Sequence, residues 1–242
     1  MTQLSVNLNK IALLRNSRGR DFPSVVEFAQ KFIDLGVHGI TIHPRPDERH
    51  IHRKDAYDLG AFLADIPDVE FNIEGYPSDD FLQIIEETKP DQCTLVPDEP
   101  GQLTSDHGWD LKARGDELTG SLKRIHDAGV RSAAFLDPDV TQVVCAGEIG
   151  VNRIELYTEA YAVAHKTGEF AEVLETYRLA VEAAQRVGVG VNAGHDLDLA
   201  NLGRILEIGE ILEVSIGHAL TIECIEHGMT AVVGDYLAIC DR

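Results

Sequence analysis

Short β-branched or apolar runs alternate along this chain with stretches whose apolar residues repeat at helical spacing. Eight of the runs are interpreted as strands, over residues 4–8, 39–43, 70–74, 92–96, 131–136, 153–157, 188–191 and 212–216. Strands that alternate with helices form a parallel sheet, because each helix returns the chain to the same edge. Right-handed crossovers then close such a sheet into a barrel. The pattern predicts an α/β fold, a (β/α)8 TIM barrel.

The stretches between the strands carry helix signals. Residues 25–35 place apolar side chains on one face ahead of Gly36, and Ser78-Asp-Asp80 offers N-cap residues before another apolar face. The longest amphipathic stretch covers residues 173–184. Residues 97–115 are instead rich in Asp, Gly, Pro, Thr and Ser, which predicts a long loop of the kind that often carries function.

The length of the chain fits one barrel. Its 242 residues are close to the roughly 250 that a barrel of this kind needs. No linker rich in Gly, Ser or Pro divides the sequence, so we expect residues 1–242 to form a single domain with extra helices. An open, doubly wound sheet is the alternative, but such a sheet gathers its ligand groups at one switch point, whereas here they follow several strands.

Composition excludes several classes of partner. The formal charge of −20 would repel nucleic acid and anionic membranes, so an anionic ligand would need a local basic pocket. The four cysteines show no tight spacing, which argues against a disulfide framework or a zinc site. Neither a secretory signal nor a membrane-spanning run is visible, so we expect a cytoplasmic protein.

Residues that can do chemistry follow the predicted strands. His43 and Arg45 follow the second, Glu74 closes the third, His195 follows the seventh and His218 follows the eighth. The carboxyl ends of barrel strands share one rim, and enzymes with this fold build their active sites there. The pattern therefore predicts an enzyme with acid–base groups at that rim.

Some of these residues have structural alternatives. Glu74 is either a general base or the ion-pair partner of a buried arginine such as Arg45. His43 is either an acid–base group or a hydrogen-bonded core histidine. For the next loop, Arg49, His52 and Arg53, the favoured interpretation is a solvated charged surface.

Near the start of the chain, basic residues cluster in an otherwise acidic sequence. The cluster, which is Lys10, Arg15, Arg18 and Arg20, favours anion binding because Arg grips phosphate bidentately. His195 and His218 each follow a glycine, an arrangement that lets backbone N–H groups approach a phosphate. Five histidines offer a metal site as the alternative, but their spacing gives no coherent ligand set, and we expect no metal.

The motifs taken together resemble those of the pyridoxine 5'-phosphate synthase family, almost end to end and in register. They are Val6-Asn-Leu-Asn-Lys-Ile-Ala-Leu-Leu-Arg-Asn-Ser-Arg-Gly19, Gly39-Ile-Thr-Ile-His-Pro-Arg-Pro-Asp-Glu-Arg-His-Ile51, Phe71-Asn-Ile-Glu74, Leu95-Val-Pro97, Ile154-Glu-Leu-Tyr-Thr158, Val191-Asn-Ala-Gly-His195 and Ser215-Ile-Gly-His-Ala219. The resemblance implies a transferase-type condensation of 1-deoxy-D-xylulose 5-phosphate with 3-amino-2-oxopropyl phosphate in vitamin B6 biosynthesis. The products would be pyridoxine 5'-phosphate, phosphate and water.

The resemblance also implies roles for individual residues, no cofactor or metal, and a homo-oligomer, typically an octamer. The proton acceptors would be His43 and Glu74, and the proton donor His195. Deoxyxylulose phosphate would be held by Arg45, His50 and Thr104, and the amino ketone phosphate by Asn7, Arg18, Gly217 and His218. The remaining substrate-binding positions are Asn9, Lys10 and Asp196.

Three places differ from the pattern common in that family. Asn9-Lys10 stands where Asp-His is frequent, Asp196 where Gly is common, and Ile222-Glu223 where Gly-Arg is frequent. Two rival functions remain open. One is another phosphosugar barrel enzyme, such as an epimerase or aldolase, of which a Schiff-base aldolase needs a lysine at a strand end. The other is a phosphoester-binding barrel or assembly scaffold without catalysis, which would need phosphate contacts but no proton-transfer groups.

Overall fold

The computed structural model describes residues 1–98 and 101–242. Its strands form one closed parallel barrel in chain order, with the first strand paired to both the second and the eighth. The predicted barrel is therefore confirmed. The strands are β1 (Gln3–Asn7), β2 (Gly39–Ile42), β3 (Glu70–Gly75), β4 (Gln92–Leu95), β5 (Arg131–Leu136), β6 (Arg153–Tyr157), β7 (Gly190–Gly194) and β8 (Glu213–Ile216).

Helices surround the barrel, and several exceed the one per strand that the fold requires. Two lie between β1 and β2, two between β6 and β7, and two follow β8. The described helices are α1 (Asn9–Asn16), α2 (Val25–Asp34), α3 (Arg53–Leu63), α4 (Asp79–Thr88), α5 (Leu111–Asp127), α6 (Val140–Ile149), α7 (Glu159–Thr167), α8 (Ala171–Val187), α9 (Leu202–Ile205), α10 (His218–His227) and α11 (Met229–Cys240), with a 3-10 turn at Leu206–Ile208. In residues 1–98 and 101–242, no helix has both the length and the apolar character needed to cross a bilayer.

Capping side chains begin many of these helices, as the sequence predicts for α4. The Ser78 hydroxyl accepts a hydrogen bond from the backbone N–H of Phe81, and Ser24 caps α2 in the same way. Each cap satisfies a backbone donor that the helix itself leaves free.

Several predicted strand ends are shifted by one residue, and two regions differ by more. The seventh strand covers Gly190–Gly194 rather than residues 188–191, and it begins later because Gly188 adopts φ of 74° and ends α8 in a left-handed cap. The loop predicted over residues 97–115 ends earlier, since α5 begins at Leu111. The Asp110 carboxylate caps that helix by accepting from the N–H of Ala113, over 3.2 Å. Glu99 and Pro100, which the loop prediction includes, lie outside the described residues.

Polar side chains fill the barrel interior. Ser5 and Thr41 share a hydrogen bond of 2.7 Å, and the Thr94 hydroxyl donates to the Asn72 amide oxygen. The Asn192 amide of β7 also donates to a side chain of β4, which is not its neighbour in the sheet, so the bond crosses the interior. Apolar strand residues point outward to the helices because successive side chains alternate across a strand. The interior of the barrel is therefore a hydrogen-bonded polar layer beneath the rim where the strands end.

Candidate active site

A cavity of about 570 Å³ opens where the strands end, bounded by residues that close or follow β1, β2, β3, β4, β7 and β8. Of the predicted site residues, all but Arg18 line it. They are Asn7, Asn9, Lys10, His43, Arg45, His50, Glu74, Thr104, His195, Asp196, Gly217 and His218. Residues far apart in the chain are thus brought to one rim, as the barrel prediction requires.

The first wall of the cavity is a hydrogen-bonded group around Glu74. The Asn7 amide donates to a Glu74 oxygen over 3.5 Å, and its own oxygen accepts from the backbone N–H of Asn9 at 3.0 Å. The Asn9 side chain in turn accepts from the backbone N–H of His43. His43 Nδ1 lies 3.9 Å from Glu74 Oε2. The ends of the first three strands are therefore tied together around one carboxyl group.

Burial favours the uncharged forms of both His43 and Glu74. Desolvation, reinforced by the positive charge of Arg45, lowers the pKa of His43 well below its ordinary value. Desolvation, reinforced by the nearby carboxylates of Glu155 and Asp98, raises the pKa of Glu74 well above its ordinary value. Burial therefore disfavours an ion pair between these two groups, whose nearest atoms lie 3.9 Å apart. A neutral imidazole can accept a proton, and a raised pKa brings a carboxyl group closer to the range in which it can exchange one during catalysis.

Arg45 does not pair with Glu74. Its guanidinium forms a short ion pair with the buried carboxylate of Asp98 and donates over 3.3 Å to the carbonyl oxygen of Gln102. Asp98 also accepts from the Ser105 hydroxyl at 2.7 Å. The structural alternative for Glu74, as the partner of Arg45, is therefore wrong. Sequence reasoning did not identify Asp98, although it follows a strand closely.

Arg49 lines the cavity, which corrects the interpretation of this residue as part of a solvated surface. Its guanidinium pairs with Asp47 at 2.6 Å and donates to the carbonyl oxygens of Gln102 and Leu103, at 2.8 and 3.0 Å. The loop after β2 thereby holds the loop after β4. His52 is the N-cap residue of α3.

His50 offers a neutral hydrogen-bond donor to the cavity. Its Nδ1 accepts from the backbone N–H of Ile51 at 2.9 Å, which leaves Nε2 as the position that carries the proton. Desolvation, together with the nearby charges of Arg45 and Lys10, lowers the pKa of His50 to about 4. Near neutral pH, the cations of this wall are therefore Arg45, Arg49 and Lys10, all of which line the cavity.

The opposite wall is built around His195. Its Nδ1 lies 2.7 Å from Asp196 Oδ2, and its Nε2 lies 3.2 Å from the hydroxyl of Thr104. The edge of the imidazole packs against the ring of Tyr157, with centroids 5.0 Å apart. The Tyr157 hydroxyl donates to Glu159 at 2.6 Å, and Glu159 also lines the cavity.

The last wall is the turn from β8 into α10. Gly217 is the N-cap residue of α10 and lines the cavity together with His218 and Ala219. The first N–H groups of a helix have no partner within it, and the helix dipole favours an anion at that end. This wall therefore suits a phosphate group, as the Gly-His pattern predicts.

Glu155 is a site residue that sequence reasoning missed. Its side chain lines the cavity but is almost entirely buried, and its Oε2 atom has no hydrogen-bond partner among the described residues. Desolvation, followed by the charge of Glu213, raises its pKa to about 8. A carbon atom on Gly194 would lie 2.2 Å from Glu155 Oε1, so only glycine leaves room for this carboxyl group. The available signal was an acidic residue between the apolar residues Ile154 and Leu156 of a strand.

The basic cluster near the start of the chain does not act as one unit. Lys10 lines the cavity, whereas Arg15 is buried in a two-bond ion pair with Asp55, at 2.5 and 2.8 Å. Arg18 and Arg20 are exposed and do not line the cavity. The prediction of a shared anion site is therefore wrong for Arg15. Within the part of the chain that the structure describes, no three His, Cys, Asp or Glu side chains are grouped to hold a metal ion.

With this geometry established, comparison with known proteins gives the family. The sequence matches the family described as "Pyridoxal phosphate biosynthesis protein PdxJ" over residues 4–242. The chain belongs to this family. Among its relatives, the pyridoxine 5'-phosphate synthase of Bacteroides fragilis is 47% identical over 237 residues, 98% of each chain. That of Chelativorans sp. is 45% identical over 244 residues, 99% of this chain and 98% of the relative.

Solved structures of more distant proteins share the fold of this PdxJ-family chain. Phosphoribosyl anthranilate isomerase from Thermotoga maritima superposes with a TM-score of 0.65 at 12% identity, covering 100% of this chain and 99% of the other. The isomerase from Thermus thermophilus gives a TM-score of 0.60 at 14% identity, covering 98% and 100%. At this level of identity the likeness supports the barrel and nothing further.

One departure from the common family pattern has a structural explanation. The carboxylate of Glu223 accepts from the backbone N–H of Leu199 at 3.3 Å and from the hydroxyl of Tyr236. Glu223 thus joins α10 to α11 and to the loop after β7, and it does not line the cavity. Its neighbour Ile222 is partly exposed.

Proposed function

We propose that this chain is a pyridoxine 5'-phosphate synthase. It would condense 1-deoxy-D-xylulose 5-phosphate with 3-amino-2-oxopropyl phosphate to form pyridoxine 5'-phosphate, phosphate and water. The observation that carries the proposal is the convergence of His43, Glu74 and His195 on one cavity that also holds cationic side chains and a helix N-terminus. The names of its relatives support the same activity.

The chemistry requires this combination of groups. An imine must form between the amine and the ketone, water and one phosphate must leave, and ring closure must be followed by aromatisation. Each step moves a proton, so several acid–base groups must lie around substrates held by their phosphates. In the proposal, His43 and Glu74 accept protons and His195 donates one.

The two phosphates would bind to different sets of residues around the cavity. Arg45, His50 and Thr104 would hold deoxyxylulose phosphate, with Lys10 and Asn9 beside it. Gly217, His218 and Asn7 would hold the amino ketone phosphate, where the N-terminus of α10 supports an anion.

The direct test is to incubate purified protein with both phosphates, with and without EDTA. Product formation is measured by the absorbance of pyridoxine 5'-phosphate, and its amount should match the inorganic phosphate released. EDTA should leave the rate unchanged. The His195→Asn variant should slow the reaction while keeping the fold. Absence of product from the wild-type protein would refute the activity, and a requirement for added Zn²⁺ or Mn²⁺ would refute cofactor independence.

Arg18 is proposed as a ligand of the amino ketone phosphate by resemblance alone, because it does not line the cavity of its own chain. If the assignment is right, Arg18→Ala should raise the KM for the amino ketone phosphate far more than the KM for deoxyxylulose phosphate. Arg20→Ala, at another exposed arginine of the same segment, is the matched control and should leave both unchanged. An equal change in both constants would remove Arg18 from the site.

The remaining proposals concern the whole protein. Residues 1–242 would form one domain, the protein would be cytoplasmic, and copies would assemble into a homo-oligomer, an octamer by resemblance. Exposed apolar side chains on α1 and α10, namely Leu13, Leu14, Ile222 and Ile225, support association. Light scattering of the purified protein would test the assembly.

A further inference from the structure

His195 is held more tightly than a cavity-lining side chain needs to be. Its two ring nitrogens face Asp196 and Thr104, at 2.7 and 3.2 Å, and Tyr157 packs against the ring. The backbone carbonyl of His195 also accepts from the hydroxyl of Thr158. The imidazole is therefore fixed in both position and orientation.

The backbone that presents this pair is strained. His195 and Asp196 are consecutive residues with positive φ, of 79° and 59°, and neither is glycine. Left-handed backbone costs free energy for any residue with a Cβ, so other contacts must hold it. The Asn201 amide supplies one, donating to the carbonyl oxygen of Asp196 at 3.1 Å. In this conformation the Asp196 carboxylate contacts the imidazole of His195.

Asp196 lines a cavity in which we place two phosphates. Its hydrogen bond with His195 lowers the pKa of its carboxyl group, with smaller contributions from Lys166 and His218. An ionised carboxylate would repel a phosphate, so the side chain does not suit direct substrate binding. Its hydrogen bond to Nδ1 instead suits the orientation of a catalytic imidazole.

We infer that Asp196 is a positioning residue, whose carboxylate accepts the Nδ1–H of His195 and directs Nε2 toward the substrate. The inference rests on the proposed function, in which His195 donates a proton. When the imidazolium acts, its Nε2–H bond breaks and an O–H bond forms on the departing oxygen. The neutral imidazole that remains keeps its Nδ1–H on Asp196, as in an Asp–His pair of a hydrolase.

Thr104 contacts the ring of His195 on the side opposite Asp196. Its hydroxyl faces Nε2, the nitrogen that would donate, and it belongs to the loop between β4 and α5. A deoxyxylulose phosphate held by Thr104 would therefore lie beside the donating nitrogen. The line from Asp196 through His195 to Thr104 links the ends of β7 and β4 across the cavity mouth.

The first test reads the tautomer of His195 in the protein without substrate. The protein carries 10 histidines, so isotope-labelled histidine and the spectrum of His195→Asn identify the signals of this ring. In the wild type the proton should reside on Nδ1. In Asp196→Gly, which fits the left-handed backbone without strain, it should shift toward Nε2, because the acceptor at Nδ1 is gone. An unchanged tautomer would overturn the inference.

The second test measures the condensation. Asp196→Gly should lower kcat on the order of 10- to 100-fold with little change in either KM, because positioning supplies part of the roughly 10²- to 10⁴-fold that an acid–base group contributes. Asp196→Asn keeps an acceptor and tolerates the backbone, so it should retain more activity. A rise in KM for the amino ketone phosphate at unchanged kcat would overturn the inference in favour of substrate binding.

Lys89→Gly is the matched control, since Lys89 also has a positive φ, of 48°, and lies at the end of α4 away from the cavity. It should leave kcat and the His195 tautomer unchanged. If the wild-type protein makes no pyridoxine 5'-phosphate, the proposed function fails, and the tautomer experiment still decides whether Asp196 controls His195.

Discussion

At the scale of single residues, Glu74 shows how surroundings decide between a structural and a chemical role. A buried carboxyl group is stable either when a cation pairs with it or when it stays protonated. The cation within reach, Arg45, is already paired with Asp98. Glu74 is left with the Asn7 amide and the neutral ring of His43, so its pKa rises. This is the environment expected of a group that exchanges protons.

Glu74→Gln should therefore separate chemistry from stability. The substitution keeps the shape and the contact with Asn7 but cannot take up a proton. We expect kcat to fall by roughly 10²- to 10⁴-fold while Tm changes little, because no buried cation loses its partner. Single-turnover rates and thermal unfolding of the same preparation measure both quantities. A stable variant with near wild-type turnover would remove Glu74 from the mechanism, and Asp98→Asn, which does unpair Arg45, serves as the destabilised control.

At the scale of elements, the basic residues of the added helix α1 have different roles. Arg15 joins α1 to α3 through Asp55 and also donates to the carbonyl oxygen of His50 at 3.1 Å. Lys10, five residues earlier on the same helix, faces the cavity instead. Helix α1 thus anchors the wall on one side and contributes a cation on the other.

Substitutions on α1 should show this division. Arg15→Ala leaves the buried carboxylate of Asp55 unpaired, which costs about 3–5 kcal/mol of unfolding free energy and should lower Tm by several degrees. The kcat of the folded fraction should be near wild type. Lys10→Ala should leave Tm unchanged and raise the KM for deoxyxylulose phosphate. Thermal unfolding and steady-state kinetics of both variants check the pair, and a stable Arg15→Ala protein with a raised KM would reverse the assignment.

Sequence reasoning succeeded for elements whose signals are local. The Ser78 cap, the β-branched runs and the residues closing each strand gave the barrel, and the shared rim gave the location of most of the site. It failed where a tertiary contact decides the outcome. Arg15 resembles its basic neighbours in sequence, and only folding brings Asp55 to it. The start of β7 was misplaced for a different reason: the apolar pattern was followed across Gly188, although a glycine after an amphipathic stretch is a local helix-end signal.

At the scale of the whole molecule, the barrel interior contains buried carboxyl groups. Glu155 and Glu213 lie on β6 and β8, both buried, and each has an oxygen atom without a hydrogen-bond partner among the described residues. Desolvation raises the pKa of Glu155 to about 8 and that of Glu213 to about 7. The sequence does not show this directly, because only closure of the barrel makes one face of each strand the interior.

These groups should make the protein less stable as the pH rises toward 8. Each carboxyl group has a pKa near 4.5 in the unfolded chain and a higher pKa in the folded protein. Between these two values the folded state binds more protons, so the free energy of unfolding falls as the pH rises. His43 and His50 have the opposite effect, because their pKa values are lowered in the folded protein from 6.5 in the unfolded chain. They reduce the stability of the folded state only as the pH falls below 6.5. Above pH 6.5 the two histidines no longer contribute, so Glu155 and Glu213 set the slope. Glu155→Gln should remove about 1.4 kcal/mol per pH unit of this slope below pH 8. Denaturant unfolding of both proteins at several pH values up to 8 measures the slopes, and equal slopes would show that Glu155 is ionised in the folded protein throughout.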